Sequence, residues 1–130
     1  MYLVTGGNAG IGYFTAEQLA GTGATVVLGS RSAARAEAAL DAIRARVPGA
    51  RVRSVGLDLA DLGSLRGTVD SLEVERLDAV VHNVGVLLEG PERRETRDGN
   101  EVHFGTNHLG HFALNTGCCR CWRPRRAPAS

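Results

Sequence analysis

Apolar residues along the chain fall into short blocks separated by longer stretches of mixed character, and the two alternate regularly. The blocks Tyr2–Thr5, Ala24–Leu28, Arg51–Leu57 and Leu77–Asn83 are compact and rich in β-branched residues, which predicts strands. Between them, Gly10–Gly21, Ser32–Val47 and Asp61–Glu75 read as helices. The second of these is rich in Ala, Leu, Glu and Arg; Ser32 suits an N-cap, and Pro48-Gly49 stops the helix. In the third, Leu62, Leu65, Val69 and Leu72 recur at helical spacing behind Asp61. Glu89–Gly99 is polar and reads as a loop. Asn100–Thr116 is predicted to be helical, carrying Val102, Phe104, Leu109, Phe112 and Leu114 despite Gly105 and Gly110.

Strand and helix alternate without hairpin signals, which predicts an α/β domain of parallel strands joined by right-handed crossovers. The near-continuous apolar runs Val26-Val27-Leu28 and Ala79-Val80-Val81 fit a sheet covered on both faces. No repeat is visible beyond the βα alternation.

Composition narrows the function classes. A chain of 130 residues with 43% hydrophobic residues fits one domain with a real core. The formal net charge of +1 gives no global field for nucleic acid or an anionic membrane. No apolar stretch approaches transmembrane length, and the start lacks a basic region followed by an apolar signal core, so a cytoplasmic protein is expected. The three cysteines, Cys118, Cys119 and Cys121, are neighbours and cannot staple distant parts of the fold. Every basic residue in the Lys+Arg count of 15 is an arginine. Arg120, Arg123, Arg125 and Arg126 are interrupted by Pro124 and Pro128, with Trp122 as the one aromatic among them. They read as a disordered basic end more than as a nucleic-acid surface.

The chemistry starts at the first strand. Tyr2-Leu3-Val4 runs into Thr5-Gly6-Gly7-Asn8-Ala9-Gly10-Ile11-Gly12, and a helix opens near Gly10 or Ile11. Glycines there permit positive φ and let backbone approach a pyrophosphate with no Cβ in the way. The helix start adds free N–H groups and a partial positive charge. The alternative is an ordinary Gly-rich βα turn; the strand before and the helix after favour a nucleotide. At the end of the second strand, Gly29-Ser30-Arg31 offers an arginine, with Arg35 one helical turn further on, and no carboxylate. A carboxylate there grips the ribose 2′-hydroxyl of NAD, whereas an arginine accommodates a 2′-phosphate, so NADP is expected over NAD. The competing reading makes Arg31 and Arg35 a solvated helix start.

The spacing Thr-Gly-x-x-x-Gly-x-Gly over Thr5–Gly12 resembles the short-chain dehydrogenase/reductase family, and three further stretches agree in order. Asp58-Leu59 looks like the family's adenine-binding pair. His82-Asn83-Val84-Gly85 is similar to its Asn-Asn-Ala-Gly turn, with the first Asn and the Ala replaced. Asn100-Glu101-x-x-Phe104-x-x-Asn107-His108-Leu109-Gly110-His111-Phe112 resembles the retinol-dehydrogenase-like branch. Because His108 and His111 belong to that stretch, no metal site is expected from them and the cysteines.

The resemblance implies a Rossmann-like doubly wound parallel sheet, cut short after the fourth strand and its following helix. Residues 1–116 would be the N-terminal half of an NADP-binding domain, and residues 117–130 an aberrant basic and Cys-rich tail. It implies cofactor contacts from Thr5, Gly6, Asn8, Gly10, Ile11, Gly12, Arg31, Asp58, Leu59, Asn83 and Gly85, and makes Asn107 the helix-borne catalytic Asn that holds a water in the proton relay. The implied function is hydride transfer between a nicotinamide and a hydrophobic alcohol or carbonyl substrate. The alternative is a non-catalytic nucleotide-binding remnant or regulatory module.

Two departures from the family pattern matter. The family's proton donor is a Tyr assisted by a Lys four residues later, with a Ser to orient the oxygen. This chain has no lysine, its two tyrosines, Tyr2 and Tyr13, lie at the cofactor end, and Tyr13 is followed four places on by Glu17. As written, the chain is not expected to catalyse efficient hydride transfer. Second, back-translating from Gly117 with GC-rich codons and reading another frame can yield an apolar helix continuation. That points to a frameshift, which the coding DNA tests: the shifted frame must continue into a Ser strand and Tyr-x-x-x-Lys. Without the later strands, Leu77–Asn83 becomes an apolar edge inviting self-association, and Phe104 and Phe112 lose partners.

Overall fold

The computed structural model describes residues 1–74 and 76–119. Its elements, in chain order, are β1 (Tyr2–Thr5), α1 (Gly10–Gly21), β2 (Thr25–Ser30), α2 (Ala33–Arg46), β3 (Arg51–Gly56), α3 (Leu62–Ser71), β4 (Ala79–Val81), a π-helical stretch (Phe104–Gly110) and α4 (His111–Cys118). The four strands form one sheet in the order β3-β2-β1-β4, and every pairing is parallel. Leu3 stands opposite Val27 on one side and Val80 on the other.

The alternation of side chains across the sheet divides the core in two. Leu3 and Val27 point to one face, where they pack with Leu65, Leu72, Leu77, Leu114 and Cys118 under α3 and α4. Val4, Val26 and Leu28 point to the other, against Ala16, Leu40 and Ile43 of α1 and α2. Both faces being covered is why these strands are apolar at successive positions. Each fully buried Leu, Ile or Val of this set contributes about 1.5–3 kcal/mol relative to exposure.

The expected elements are all present, β1 and α1 with the expected bounds and the others with shifted ends. Ser32 caps α2, its Oγ accepting from Arg35 N at 3.3 Å, and Asp61 caps α3 through Ser64 N at 3.3 Å. β2 runs on to Ser30, two residues past the expected end, because the ladder with β3 continues to Ser30 opposite Gly56. β4 is shorter than the expected Leu77–Asn83. Leu77 is buried in the core ahead of the strand, and beyond Val81 the N–H groups of Asn83 and Val84 turn to the Thr5 hydroxyl instead of a strand. α3 ends at Ser71, followed by Glu73 in the left-handed region at φ 48°; the expected end, Glu75, lies outside the described residues.

The helix expected over Asn100–Thr116 is differently built. Seven of its residues are π-helical, and α4 then runs two residues beyond Thr116 to Cys118. Gly110 lies against the backbone of Leu59, where a Cβ would fall 2.3 Å from the Leu59 carbonyl oxygen. Cys118 is buried beside Leu114. Of the tail expected over 117–130, residues 120–130 lie outside the described residues. Among the described residues β4 pairs with β1 alone, and Phe104 and Phe112 are 53% and 66% exposed.

Candidate cofactor site

The carboxyl ends of β1, β2, β3 and β4 open into one cavity of about 430 Å³. A parallel sheet with helices on both faces makes its crevice there, where consecutive crossovers leave in opposite directions. In this sheet the crossovers diverge at β1, with β2 on one side and β4 on the other.

Seven of the predicted residues line the cavity: Gly6, Asn8, Arg31, Asp58, Leu59, Asn83 and Gly85. The remaining cradle residues sit beside or behind it. Gly6 has φ +66° and Gly10 φ +55°, conformations that favour glycine. Gly6 N donates to the Gly29 carbonyl at 2.8 Å, tying the turn to the end of β2. At Gly12 a Cβ would fall 2.4 Å from both Asn83 Nδ2 and the Gly6 carbonyl oxygen, so glycine is required for the helix to reach the turn. Ile11 is 79% exposed on the first turn of α1. That turn begins at Ala9 with no side-chain cap and no acidic residue, whereas α2 and α3 are capped by Ser32 and Asp61. Its first N–H groups therefore remain available to an external acceptor.

Arg31 is exposed, and its guanidinium has no hydrogen bond or ion pair among the described residues. Asp58 is half-buried, and one of its carboxylate oxygens accepts from Ala60 N at 2.9 Å, fixing the turn after β3. The cavity also takes in Val102, expected only as an apolar helix position, and Thr106, which sequence reasoning did not single out. Thr106 is 5% exposed, and its hydroxyl has no hydrogen-bond partner. Thr15, Thr68 and Thr116 each return their hydroxyls to the carbonyl four residues earlier. Thr106, on the π-helical stretch, makes no such bond.

Thr5 is fully buried behind the cradle. Its hydroxyl accepts from Asn83 N at 2.9 Å and Val84 N at 3.1 Å and lies 2.9 Å from His111 Nε2. The Asn83 side chain adds a bond from Nδ2 to the Thr5 carbonyl at 3.1 Å.

Asn107 lines a second hollow of about 290 Å³ with His82, Val84, His108, His111, Phe112 and Asn115. Its side chain faces the backbone of Val86: Val86 N donates to Oδ1 at 2.8 Å and Nδ2 donates to the Val86 carbonyl at 3.0 Å. Its own main-chain carbonyl accepts from His111 Nδ1 at 2.9 Å. Tyr13 is remote from this chemistry. Its phenol donates to Glu17 at 2.8 Å, and that hydrogen bond first, then burial, pushes its pKa above the ordinary value. A proton-relay phenol needs the opposite shift.

The chain matches the short-chain dehydrogenase family over residues 1–127. It belongs to that family. The chain is 43% identical over 114 residues to the polyprenol dehydrogenase of Mus musculus, covering 86% of this chain and 33% of the relative. It is 40% identical over 114 residues to retinol dehydrogenase 12 of Mus musculus, covering 86% of this chain and 35% of that one. Among solved structures, a blue fluorescent protein from a metagenomic library, in complex with NADPH, superposes with a TM-score of 0.75 at 28% identity, over 93% of this chain and 50% of that one. The chain thus spans about a third of the length of the curated relatives it matches. Its parallel sheet and flanking helices are the Rossmann-like fold of the short-chain dehydrogenases. No helix among the described residues is long and apolar enough to cross a membrane, and they contain no cluster of three or more His, Cys, Asp or Glu able to hold a metal ion.

Proposed function

We propose that this chain is the cofactor-holding half of an NADP-dependent oxidoreductase that exchanges hydride with a hydrophobic alcohol or carbonyl compound. The observation that carries the reading is the convergence of Gly6, Asn8, Arg31, Asp58, Leu59, Asn83 and Gly85 on one cavity at the switch point of the sheet. The residues fit such a group on two counts. A Cβ at Gly6 would fall 2.9 Å from Val84 Cγ2 and 3.1 Å from Asn83 Nδ2, so the turn packs on the cavity wall with no room for a side chain. Thr106 also leaves a buried hydroxyl unpaired in the residue set around the same cavity.

In this reading the first turn of α1 receives the pyrophosphate on its free N–H groups. Arg31 meets the 2′-phosphate, and Asp58 with Leu59 borders the adenine. Asn83 and Gly85 form the wall nearer the nicotinamide, whose C4 supplies hydride exchange when the cofactor is bound. Asn107 holds that wall in register through Val86. The Tyr-x-x-x-Lys pair is absent from this sequence, so the 130-residue chain binds the cofactor and turns over no substrate. The hydrophobic substrate class is supported by the names of the retinol and polyprenol dehydrogenases among its relatives.

The test is a fluorescence titration of the chain with NADPH and NADH, repeated with Arg31→Asp. NADPH should bind more tightly to the natural chain, and the substitution should weaken NADPH about tenfold or more, since it removes a charge-assisted contact and puts a carboxylate beside the phosphate. An unchanged ratio of the two affinities removes Arg31 from the reading. Absence of binding by either nucleotide overturns it. A non-catalytic, nucleotide-binding role remains the second reading, favoured by the raised pKa of Tyr13 and the missing lysine. A turnover assay on the protein read through the alternative frame separates the two.

A further inference from the structure

Among the described residues the segment after β4 pairs with no further strand, yet its N–H groups are held by side chains. Val84 N donates to the Thr5 hydroxyl, Val86 N to Asn107 Oδ1, and Leu88 N to His103 Nε2 at 3.0 Å. Asn83 N shares the Thr5 hydroxyl with Val84 N, so the wall is anchored at one end by two adjacent donors and further along by Val86 and Leu88. The acceptors are periodic. His103, Asn107 and His111 are four residues apart, and His111 reaches the wall through Thr5.

We propose that His111 is a positioning residue of the cofactor cavity: as the neutral, Nδ1-protonated tautomer it joins the Asn107 carbonyl to the Thr5 hydroxyl and so fixes the Asn83–Val86 wall. The affinity arm of this inference rests on the nucleotide reading above; the tautomer and the wall do not.

The tautomer follows from the partners. The Asn107 carbonyl only accepts, so the proton of the ring sits on Nδ1, 2.9 Å away. Nε2 is then an acceptor, and the Thr5 hydroxyl is the group 2.9 Å from it. A hydroxyl has one proton to give and two lone pairs. Its proton goes to His111, and its lone pairs take the N–H groups of Asn83 and Val84. Every valence of Thr5 Oγ1 is used, and Thr5 is 0% and His111 6% exposed. The links close a ring: Thr5 to His111, His111 to Asn107, Asn107 to Val86, and along the chain back to Asn83.

A second proton on His111 breaks this arrangement. Nε2–H would face an oxygen that already accepts twice, and the Thr5 proton would have to turn to the Val81 carbonyl at 3.3 Å. One of the two wall N–H groups would lose its acceptor. Among the described residues, the titratable groups around His111 are His82 beyond β4, stacked on it at 4.6 Å between ring centroids, and His108 on the π-helical stretch, which lines the same hollow. No carboxylate among the described residues lines that hollow to favour the imidazolium. Burial lowers the His111 pKa in keeping with the neutral ring.

The experiment is long-range ¹H–¹⁵N NMR of the imidazole rings in the full 130-residue chain, with amide exchange of the wall measured in parallel. At neutral pH His111 should show the Nδ1–H tautomer. In His111→Phe, which keeps a ring against His82 but no nitrogens, the amides of Asn83 and Val84 should exchange at least about threefold to tenfold faster, the loss of one hydrogen-bond partner. Those of Val27 and Val55 in the β2–β3 ladder should stay unchanged, and NADPH affinity should fall by a similar factor. An Nε2–H tautomer or an imidazolium at neutral pH overturns the proposal, and this reading needs no variant to fold. Unchanged exchange at Asn83 and Val84 in a folded His111→Phe chain also overturns it. If the natural chain binds no NADPH but shows the tautomer and the exchange change, the nucleotide reading fails while His111 keeps its role in the wall.

Discussion

Asn107 presents both faces of its side-chain amide to one residue, accepting from Val86 N at 2.8 Å and donating to the Val86 carbonyl at 3.0 Å. A side chain on a helix thus completes the hydrogen bonding of a chain that has left the sheet. The geometry makes Asn107 a brace for the cavity wall, and its main-chain carbonyl is engaged by His111. Any water it holds in a proton relay would have to share that carbonyl.

Asn107→Asp keeps the acceptor and replaces the donor with an oxygen facing the Val86 carbonyl. The variant should lose about 1 kcal/mol of stability, the low end of the range because the pair is solvent-exposed. The midpoint of urea unfolding should fall with the slope unchanged. An unaltered midpoint would mean that the pairing carries no net free energy.

Gly12 and Gly10 belong to the same motif but should respond differently to alanine. At Gly12 the new Cβ would lie 2.4 Å from backbone and from Asn83 Nδ2, so the turn or the helix must shift. The cost should be about 1–3 kcal/mol, with loss of NADPH binding. At Gly10 nothing lies within 4 Å, and only the positive φ of 55° is penalised, which costs about 1–2 kcal/mol. Parallel thermal melts and titrations distinguish the two. Equal loss of binding in both would place the helix start, and not the Gly12 contact, in control.

Acid should act in two windows. Burial lowers the His111 pKa below the ordinary 6.5, so the unfolded chain takes up that proton before the folded chain does. The contribution of His111 is complete above pH 6.5 and is lost as pH falls through the folded value. The Glu101 carboxylate accepts from the backbone N–H groups of His103 and Phe104 and from the His103 ring, which holds its pKa at about 2 against an ordinary 4.5. Its contribution is present above pH 4.5 and disappears on the way down to about pH 2. Chemical unfolding across pH should show the upper window vanish in His111→Phe and the lower one in Glu101→Gln. A natural chain whose stability is flat between pH 7 and pH 5 would contradict the first.

Much of the cavity lining was legible because glycine and charge at a βα turn have few structural explanations. Gly6, Asn8, Arg31, Asp58, Leu59, Asn83 and Gly85 are far apart in sequence, yet each falls at the end of a strand, and parallel strands bring those ends together. The periods of hydrophobic positions carried the layer structure as well, since buried parallel strands and amphipathic helices differ in repeat. Less was visible over Asn100–Thr116. Its apolar spacing announces a helix, but a π-helical stretch depends on what packs against Gly105 and Gly110, here Thr96, Asn100 and the backbone of Leu59.

The sequence by itself determined the alternation of strands and helices, the parallel sheet, the cradle and the missing Tyr-x-x-x-Lys pair, because local spacing and residue chemistry suffice for each. Only the tertiary structure decided which groups Thr5, Asn107 and His111 meet. Their bonds cross 78 residues from Asn83 to Thr5 and 106 from Thr5 to His111. No local pattern specifies which buried hydroxyl an imidazole nitrogen will meet. That pairing is set when the chain leaves β4 and its N–H groups find acceptors on elements distant in sequence.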